Sequence, residues 1–174
     1  MPRCFIGLGA NIGNPLQQLR EAVAGLRRVA GPQRLAVSPV YQSTPLGPSD
    51  QPDFLNAVAG FDTQLAAEQV LDSLQAIERD AGRVRGRRWG PRTLDLDLLI
   101  HGDHVIDSPR LTVPHPRIAE RDFVLVPLAD LTGIDFVLPG TQVLGDALAR
   151  CQDNHLRRIA ASLVPGAPEP GALS

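Results

Sequence analysis

Asp95-Leu96-Asp97 sets two carboxylates two positions apart in a run, residues 94–100, that alternates like a strand. On a strand, side chains at i and i+2 share a face. Asp95 and Asp97 therefore stand side by side, while Leu94, Leu96 and Leu98 turn to the core. Two like charges this close repel each other and favour a cation between them. Hard carboxylate oxygens suit Mg²⁺, which keeps several waters and binds one or two carboxylates plus substrate phosphates. The other reading is a solvated strand face neutralised by arginine. Just upstream runs Arg83-Val84-Arg85-Gly86-Arg87-Arg88-Trp89-Gly90-Pro91-Arg92, with five arginines, no acid and the only tryptophan of the chain. The guanidinium fork suits bidentate phosphate contact. Gly82, Gly86 and Gly90 should make the segment mobile. Taken alone it could equally be a solvated basic loop or a nucleic-acid patch. A cationic loop leading into paired carboxylates is what phosphoryl chemistry requires, with metal on one side of the phosphates and arginines on the other.

Two further groups of residues carry chemistry. His115 lies between Pro114 and Pro116, with Arg110 before it and Arg117 and Arg121 after it; it could donate to a phosphate or satisfy a loop carbonyl. Asn56 offers an amide that both donates and accepts, as the edge of a heterocycle demands. Phe54, Trp89 and Phe123 could sandwich a flat ring, or each could be ordinary core. Residues 7–13 (Gly-Leu-Gly-Ala-Asn-Ile-Gly) look like a dinucleotide loop, but the third glycine comes one position late and no Gly-Lys-Ser/Thr follows. A tight turn with its backbone near a ligand is the better reading. No serine or cysteine is set up as a nucleophile. Cys4 and Cys151 have no metal-binding spacing and are read as reduced thiols.

These residues need elements to position them. Residues 3–9 read as a strand, and Asn14-Pro15 as an N-cap with proline in the first turn. Leu16, Leu19, Val23, Leu26 and Val29 follow at helical spacing up to Gly31-Pro32. Residues 35–41 read as a strand whose internal Pro39 demands an edge or a bulge. Residues 54–62 form its antiparallel partner across a Pro- and Gly-rich loop. Residues 66–81 are a helix with Val70, Leu74, Ile77 and Ala81 on its buried face, stopped by Gly82. With residues 94–100 as a strand, the order is βαββαβ, an α+β, ferredoxin-like antiparallel core. Additional C-terminal elements follow: a loop over residues 107–122, a short helical or extended piece over 123–131, and a helix over 143–151. Residues 1–163 are expected to form one domain. Residues 164–174, rich in Pro, Gly and Ala, are expected to be a disordered tail. Residues 150–174 are expected to be a surface segment with no catalytic part.

The bulk numbers limit the function classes. The chain has 174 residues and is 43% hydrophobic, enough for one core. Its formal net charge of −2 argues against bulk binding of nucleic acid, so anion recognition must be local. No apolar stretch is long enough to span a bilayer, and no signal-peptide pattern opens the chain. The expectation is a cytoplasmic monomer that acts on small molecules, with no nucleic-acid or membrane partner.

Five blocks in order, residues 7–13, 44–48 (Thr-Pro-Leu-Gly-Pro), 51–56 (Gln-Pro-Asp-Phe-Leu-Asn), 88–97 (Arg-Trp-Gly-Pro-Arg-Thr-Leu-Asp-Leu-Asp) and 111–117 (Leu-Thr-Val-Pro-His-Pro-Arg), resemble 6-hydroxymethyl-7,8-dihydropterin pyrophosphokinases. The likeness runs from about residue 4 to about residue 130, and the 88–97 block is its most specific part. The resemblance implies a pyrophosphokinase of folate biosynthesis, with ATP as co-substrate and two Mg²⁺ ions held by Asp95 and Asp97. It implies that Arg83, Arg92 and Trp89 join those aspartates in catalysis as the loop closes. It implies a pterin between Phe54 and Phe123, read by Asn56 and by the backbone of Thr44 and Leu46, with Gly9 and Trp89 lining the same pocket. Arg83, Arg92, His115 and Arg121 would face the phosphates. Gln75, Glu78, Arg85, Leu98, Arg110 and Thr112 would lie near the nucleotide. The chain departs from the family pattern at three places. Pro116 stands where many relatives have an aromatic residue, Phe54 where tyrosine is frequent, and the arginine loop has Gly86 and looks one residue short.

Overall fold

The computed structural model describes residues 1–45, 51–81, 94–140 and 142–164. Along the chain come β1 (Arg3–Ala10), α1 (Pro15–Ala30), β2 (Ala36–Val37), β3 (Val40–Ser43), β4 (Phe54–Asp62), α2 (Ala67–Asp80) and β5 (Asp95–His101). Then follow β6 (Ile106–Asp107), β7 (Thr112–Val113), a 3₁₀ turn (Ile118–Glu120), α3 (Asp122–Thr132), β8 (Val137–Leu138), β9 (Gln142–Val143), α4 (Leu144–Ala149) and β10 (Arg157–Ile159). The main sheet has the order β10-β3-β4-β1-β5, with β2 also paired to β4. Every pairing in it is antiparallel.

The first helix forms where its signals stand. Asn14 Oδ1 accepts from Gln17 N at 3.2 Å, satisfying one of the orphan donors of α1. Such a cap stabilises by about 1 kcal/mol. Gly31 ends the helix at φ +64°, and its N–H reaches Arg27 O at 3.0 Å. Leu19, Val23 and Leu26 of α1 are fully buried, as are Val70 and Leu74 of α2. They pack on one face of the sheet with Cys4, Ile6, Leu8 and Ala10 of β1, Ala57, Ala59 and Phe61 of β4, and Leu96 and Leu98 of β5. The opposite face carries a second core. There Phe5, Val58, Leu99 and Ile100 meet Val124, Leu125 and Leu128 of α3 and Leu144 and Ala147 of α4.

Several elements differ from the sequence expectation. The strand expected over 35–41 is two strands, divided at Ser38-Pro39. Pro39 has no N–H for the ladder. Beside it, Ser38 N donates to Val58 O at 2.8 Å, and Ser38 Oγ accepts from Val58 N at 2.9 Å. Between the pairs Val37↔Ala59 and Tyr41↔Asn56 this chain advances four residues and its partner three. That single extra residue is a β-bulge. The loop expected over 107–122 contains most of the β6–β7 pair and the 3₁₀ turn. The piece over 123–131 is helical, within α3. The helix expected over 143–151 is shorter, six residues preceded by β9. Beyond residue 150 the chain adds β10 to the outer edge of β3. The expected stop at Gly82 and the tail from residue 165 onward lie outside the described residues.

A second irregularity positions the site. The β1–β5 register shifts between Phe5↔Ile100 and Ile6↔Leu98, so Leu99 is the extra residue. Leu99 and Ile100 both enter the second core. Asp95 and Asp97, before the shift, share that face with Leu99.

Candidate functional site

A cavity of about 180 Å³ opens on this second face, over the ends of β1, β4 and β5. Its floor is a row of residues in register. Gly9 of β1 pairs with Asp95 of β5 on one side and Asn56 of β4 on the other; Gly7 pairs likewise with Asp97 and Val58. Directly paired residues present their side chains to the same face. A Cβ added at Gly9 would meet only Asn56 Oδ1, at 3.7 Å. Glycine thus leaves bare backbone between a carboxylate and an amide, and a flat ligand can lie on it.

Asn56 is buried, and its orientation is set by its neighbours. Its Nδ2 donates to Ser43 Oγ at 2.8 Å and to Tyr41 O at 3.4 Å. Oδ1 is thereby left on the Gly9 side as an acceptor for a ligand N–H. Phe54, Thr44 and Ser43 line one wall and Arg121, Phe123 and Val124 another. The Arg121 guanidinium lies 5.6 Å from the centroid of the Phe123 ring, within cation–π range.

The electrostatics converge on the same place. Burial lowers the pKa of Arg121, while Asp97 and then Asp95 oppose that shift, and Arg117 adds to it. An arginine stays charged regardless. Its Nε is buried without a hydrogen-bond partner among the described residues. The His115 pKa is lowered, first by burial, then by Arg121, and Asp95 opposes the change. His115 N donates to Leu99 O at 2.9 Å, and its Nδ1 accepts from Arg117 N at 3.2 Å. With Nδ1 an acceptor, the neutral ring carries its proton on Nε2.

Of the residues singled out from sequence, the cavity brings together Gly9, Thr44, Phe54, Asn56, Asp95, Asp97, Arg121 and Phe123. The others that are described do not line it. Glu78 is buried on α2 and accepts from Leu96 N at 3.4 Å. The Leu98 side chain belongs to the first core. Gln75 is half-buried on α2, and Thr112 sits in β7, paired with Asp107. Arg110 is ion-paired with Asp72 and, at 3.9 Å, with Glu68, both on α2. Leu46, Arg83, Arg85, Trp89 and Arg92 lie outside the described residues.

Sequence reasoning overlooked Ser43, which fixes the Asn56 amide, and the pair Asp122 and Asn154. Ser43 had a signal, since it lies two residues from Tyr41 on a strand and so faces the same side. Asp122 and Asn154 had none, because what they do depends on a contact across 32 positions of chain.

Asp95 and Asp97 are two hard-oxygen donors on one strand face, beside a glycine-lined floor, and this donor set fits Mg²⁺. Among the described residues there is no cluster of three or more side chains that could hold a metal ion.

The described structure resembles solved chains. One, titled "Crystal structure of Plasmodium falciparum HPPK-DHPS A437G with SDX-DHP", superposes with a TM-score of 0.65 at 12% identity, over 86% of this chain and 45% of that one. Another, an HPPK-DHPS in complex with substrates, gives 0.60 at 11% identity, over 85% of this chain and 43% of that one. This chain spans less than half the length of either, and at such identity the likeness concerns the fold alone. Sequence relatives are closer. The 2-amino-4-hydroxy-6-hydroxymethyldihydropteridine pyrophosphokinase of Pseudomonas aeruginosa is 48% identical over 157 residues, covering 90% of this chain and 96% of that protein. The enzyme of the same name from Haemophilus influenzae is 42% identical over 159 residues, covering 91% and 99%. The profile of the family described as 7,8-dihydro-6-hydroxymethylpterin-pyrophosphokinase (HPPK) matches residues 5–133, from the first residues of β1 to the end of α3. That match takes in the whole floor of the cavity, and the chain belongs to this family.

Proposed function

We propose that the chain transfers the terminal pyrophosphoryl group of ATP to 6-hydroxymethyl-7,8-dihydropterin, giving the pterin diphosphate and AMP. The observation that carries this is the row Asp95–Gly9–Asn56 across three strands, which sets an acidic end and an amide end on either side of bare backbone. The pterin ring lies on Gly9 between Phe54 and Phe123, its N–H edge donating to Asn56 Oδ1 and its other edge reaching the backbone near Thr44 and Leu46. Its hydroxymethyl group then points toward Asp95 and Asp97. The hydroxymethyl oxygen attacks the β-phosphorus, the bond between the β-phosphorus and the α,β-bridging oxygen breaks, and AMP departs with that oxygen. Arg121 holds its charge against the phosphates, with Phe123 beneath it keeping it in place. His115, with its proton on Nε2, donates to a phosphate oxygen. Asp95 and Asp97 would hold two Mg²⁺ ions, which when bound offset phosphate charge and lower the pKa of the attacking hydroxyl.

Arg83, Arg92 and Trp89 complete the catalytic set in this reading, with Arg85, Gln75, Glu78, Leu98, Arg110 and Thr112 near the nucleotide. The strand order, with β1 and β4 central and β5 and β3 flanking them, supports a ferredoxin-like core. The reading also takes residues 1–163 as one domain, the enzyme as a monomer and its place as the cytoplasm. No helix among the described residues is long and apolar enough to cross a membrane.

The test is AMP release from ATP, Mg²⁺ and the hydroxymethyl-dihydropterin. Wild-type protein should release AMP only when the pterin is present. Asp97→Ala should lower kcat by roughly a hundredfold or more while keeping pterin affinity. Pterin-independent AMP release, or full turnover in Asp97→Ala, would contradict the assignment.

A further inference from the structure

Asp122 is the first residue of α3 and is 7% exposed; Asn154, in the segment before β10, is 5% exposed. Both oxygens of the Asp122 carboxylate are engaged by this one residue. Oδ2 accepts from Asn154 N at 2.9 Å, and Oδ1 accepts from Asn154 Nδ2 at 2.6 Å. Asn154 then passes the connection on. Its backbone oxygen accepts from Thr44 N and from Thr44 Oγ1, each at 3.2 Å. The local chain is shaped for this. Asp153 Oδ1 caps His155 N at 2.7 Å, and His155 takes φ +54°, a conformation uncommon outside glycine.

The ends of this relay are pocket walls. Thr44 lines one side of the cavity, and Arg121 and Phe123, the two residues flanking Asp122, line the other. No covalent neighbour joins these walls. Thr44 follows the end of β3 and Asp122 begins α3, which packs on β4. The buried relay Asp122–Asn154–Thr44 is therefore a brace between them. Charged and bidentate hydrogen bonds hold geometry more strictly than apolar packing does.

We propose that Asp122 and Asn154 are positioning residues that set the width of the ring-binding slot, so that the segment after residue 150 takes part in pterin recognition without touching the ligand. The proposal rests on the pterin reading of the cavity. It weighs on the ring more than on the nucleotide, because Thr44 and Phe123 both belong to the ring wall, whereas of the residues assigned to the nucleotide only Arg121 adjoins Asp122.

The experiment measures pterin affinity by direct titration and KM for both substrates, with unfolding temperature recorded for each protein. Asn154→Ala removes the side-chain donor, leaving one buried oxygen of Asp122 without that partner. Pterin affinity should fall about tenfold, with KM for ATP and kcat changed less than about twofold. Asp122→Asn should do the same, since an amide offers only one acceptor where two are required. The double variant Asp122→Asn with Asn154→Asp restores a donor–acceptor pair and should recover most of the affinity, which a purely structural role would not produce. Unchanged pterin affinity in both single variants, or equal loss for both substrates with no recovery in the double variant, overturns the proposal. If the single variants fail to fold, the double variant decides alone: a folded protein with near wild-type pterin affinity supports the brace, and any other result opposes it. If wild-type protein binds no pterin, the functional reading itself fails and the proposal goes with it; wild-type binding with insensitive variants removes the brace only.

Discussion

Arg121 faces two carboxylates and rests against an aromatic ring, and its Nε has no hydrogen-bond partner among the described residues. A buried donor without a partner costs about 1–3 kcal/mol. In the proposed reading a phosphate oxygen of ATP would offset that cost. Arg121→Lys keeps the charge and loses both Nε and the planar fork. We expect KM for ATP to rise about tenfold, with the unfolding temperature nearly unchanged; steady-state kinetics and thermal unfolding check this. His115 lends itself to a pH experiment. Burial, then Arg121, lowers its folded pKa below the ordinary 6.5. At pH above 6.5 the ring is neutral in both folded and unfolded chains and contributes no pH dependence. As pH falls below that value the unfolded chain takes up the proton first, so stability declines until pH passes the folded pKa. Urea unfolding over that window should show stability rising with pH, and His115→Gln should remove part of the slope. An unchanged slope would mean that the folded ring takes up its proton as readily as the unfolded one.

At the scale of elements, two glycines make opposite predictions from the same substitution. Gly25, inside α1, should by helix propensity gain about 1 kcal/mol on becoming alanine. A Cβ there would stand 2.9 Å from Ile77 Cγ1 and 3.0 Å from Ile77 Cδ1 on α2. Overpacking of a fitted core costs about 1–3 kcal/mol, so the clash wins. Gly25→Ala should lower unfolding free energy by about 1 kcal/mol, and combining it with Ile77→Val should recover part of the loss. Gly9→Ala has room in the fold and should leave stability unchanged or slightly raised. Its methyl group would occupy the pocket floor, and pterin KM should rise about tenfold. The contrast shows what was legible in the sequence. α1 and α2 carry helical periodicity, α1 also its Asn14 cap, and Asp95 and Asp97 follow from strand alternation. Pro39 announced an edge position or a bulge, of which the bulge is found, though not that Ser38 would replace the missing ladder bonds. β10 was not legible, since Arg157-Arg158-Ile159 has no alternation of its own and is a strand only through pairing with β3. Nor was the Gly25–Ile77 approach, because the distance between two helices is a property of their packing.

Over the whole molecule, one tie joins elements that are far apart in the chain. Tyr41 on β3 donates its hydroxyl to Asp130 Oδ2 on α3, and the charge of Arg158 on β10 acts on the same phenol. Sheet, covering helix and C-terminal strand thus meet at a single ring. Burial, then the bond to Asp130 and its charge, raises the Tyr41 pKa to about 12, and Arg158 only partly opposes this. The chain has one tyrosine, so tyrosinate absorbance reports this residue alone. In the native protein the phenol should titrate near 12, and in denatured protein near the ordinary 10.0. The sign for stability follows from proton binding. Below pH 10 both states hold the proton and the contribution is complete. Between 10 and 12 the unfolded chain loses its proton while the folded chain keeps it, so stability falls as pH rises. Asp130→Asn removes the repelling charge and should bring the native midpoint down toward the denatured one. Arg158→Gln removes the opposing charge and should move it slightly up. A native midpoint at the ordinary value, insensitive to Asp130→Asn, would mean that α3 and the strand edge are not joined through this ring. The second face of the sheet, which carries the pocket, would then depend on apolar packing, on the brace at Asn154 and on such ties as His115 N to Leu99 O.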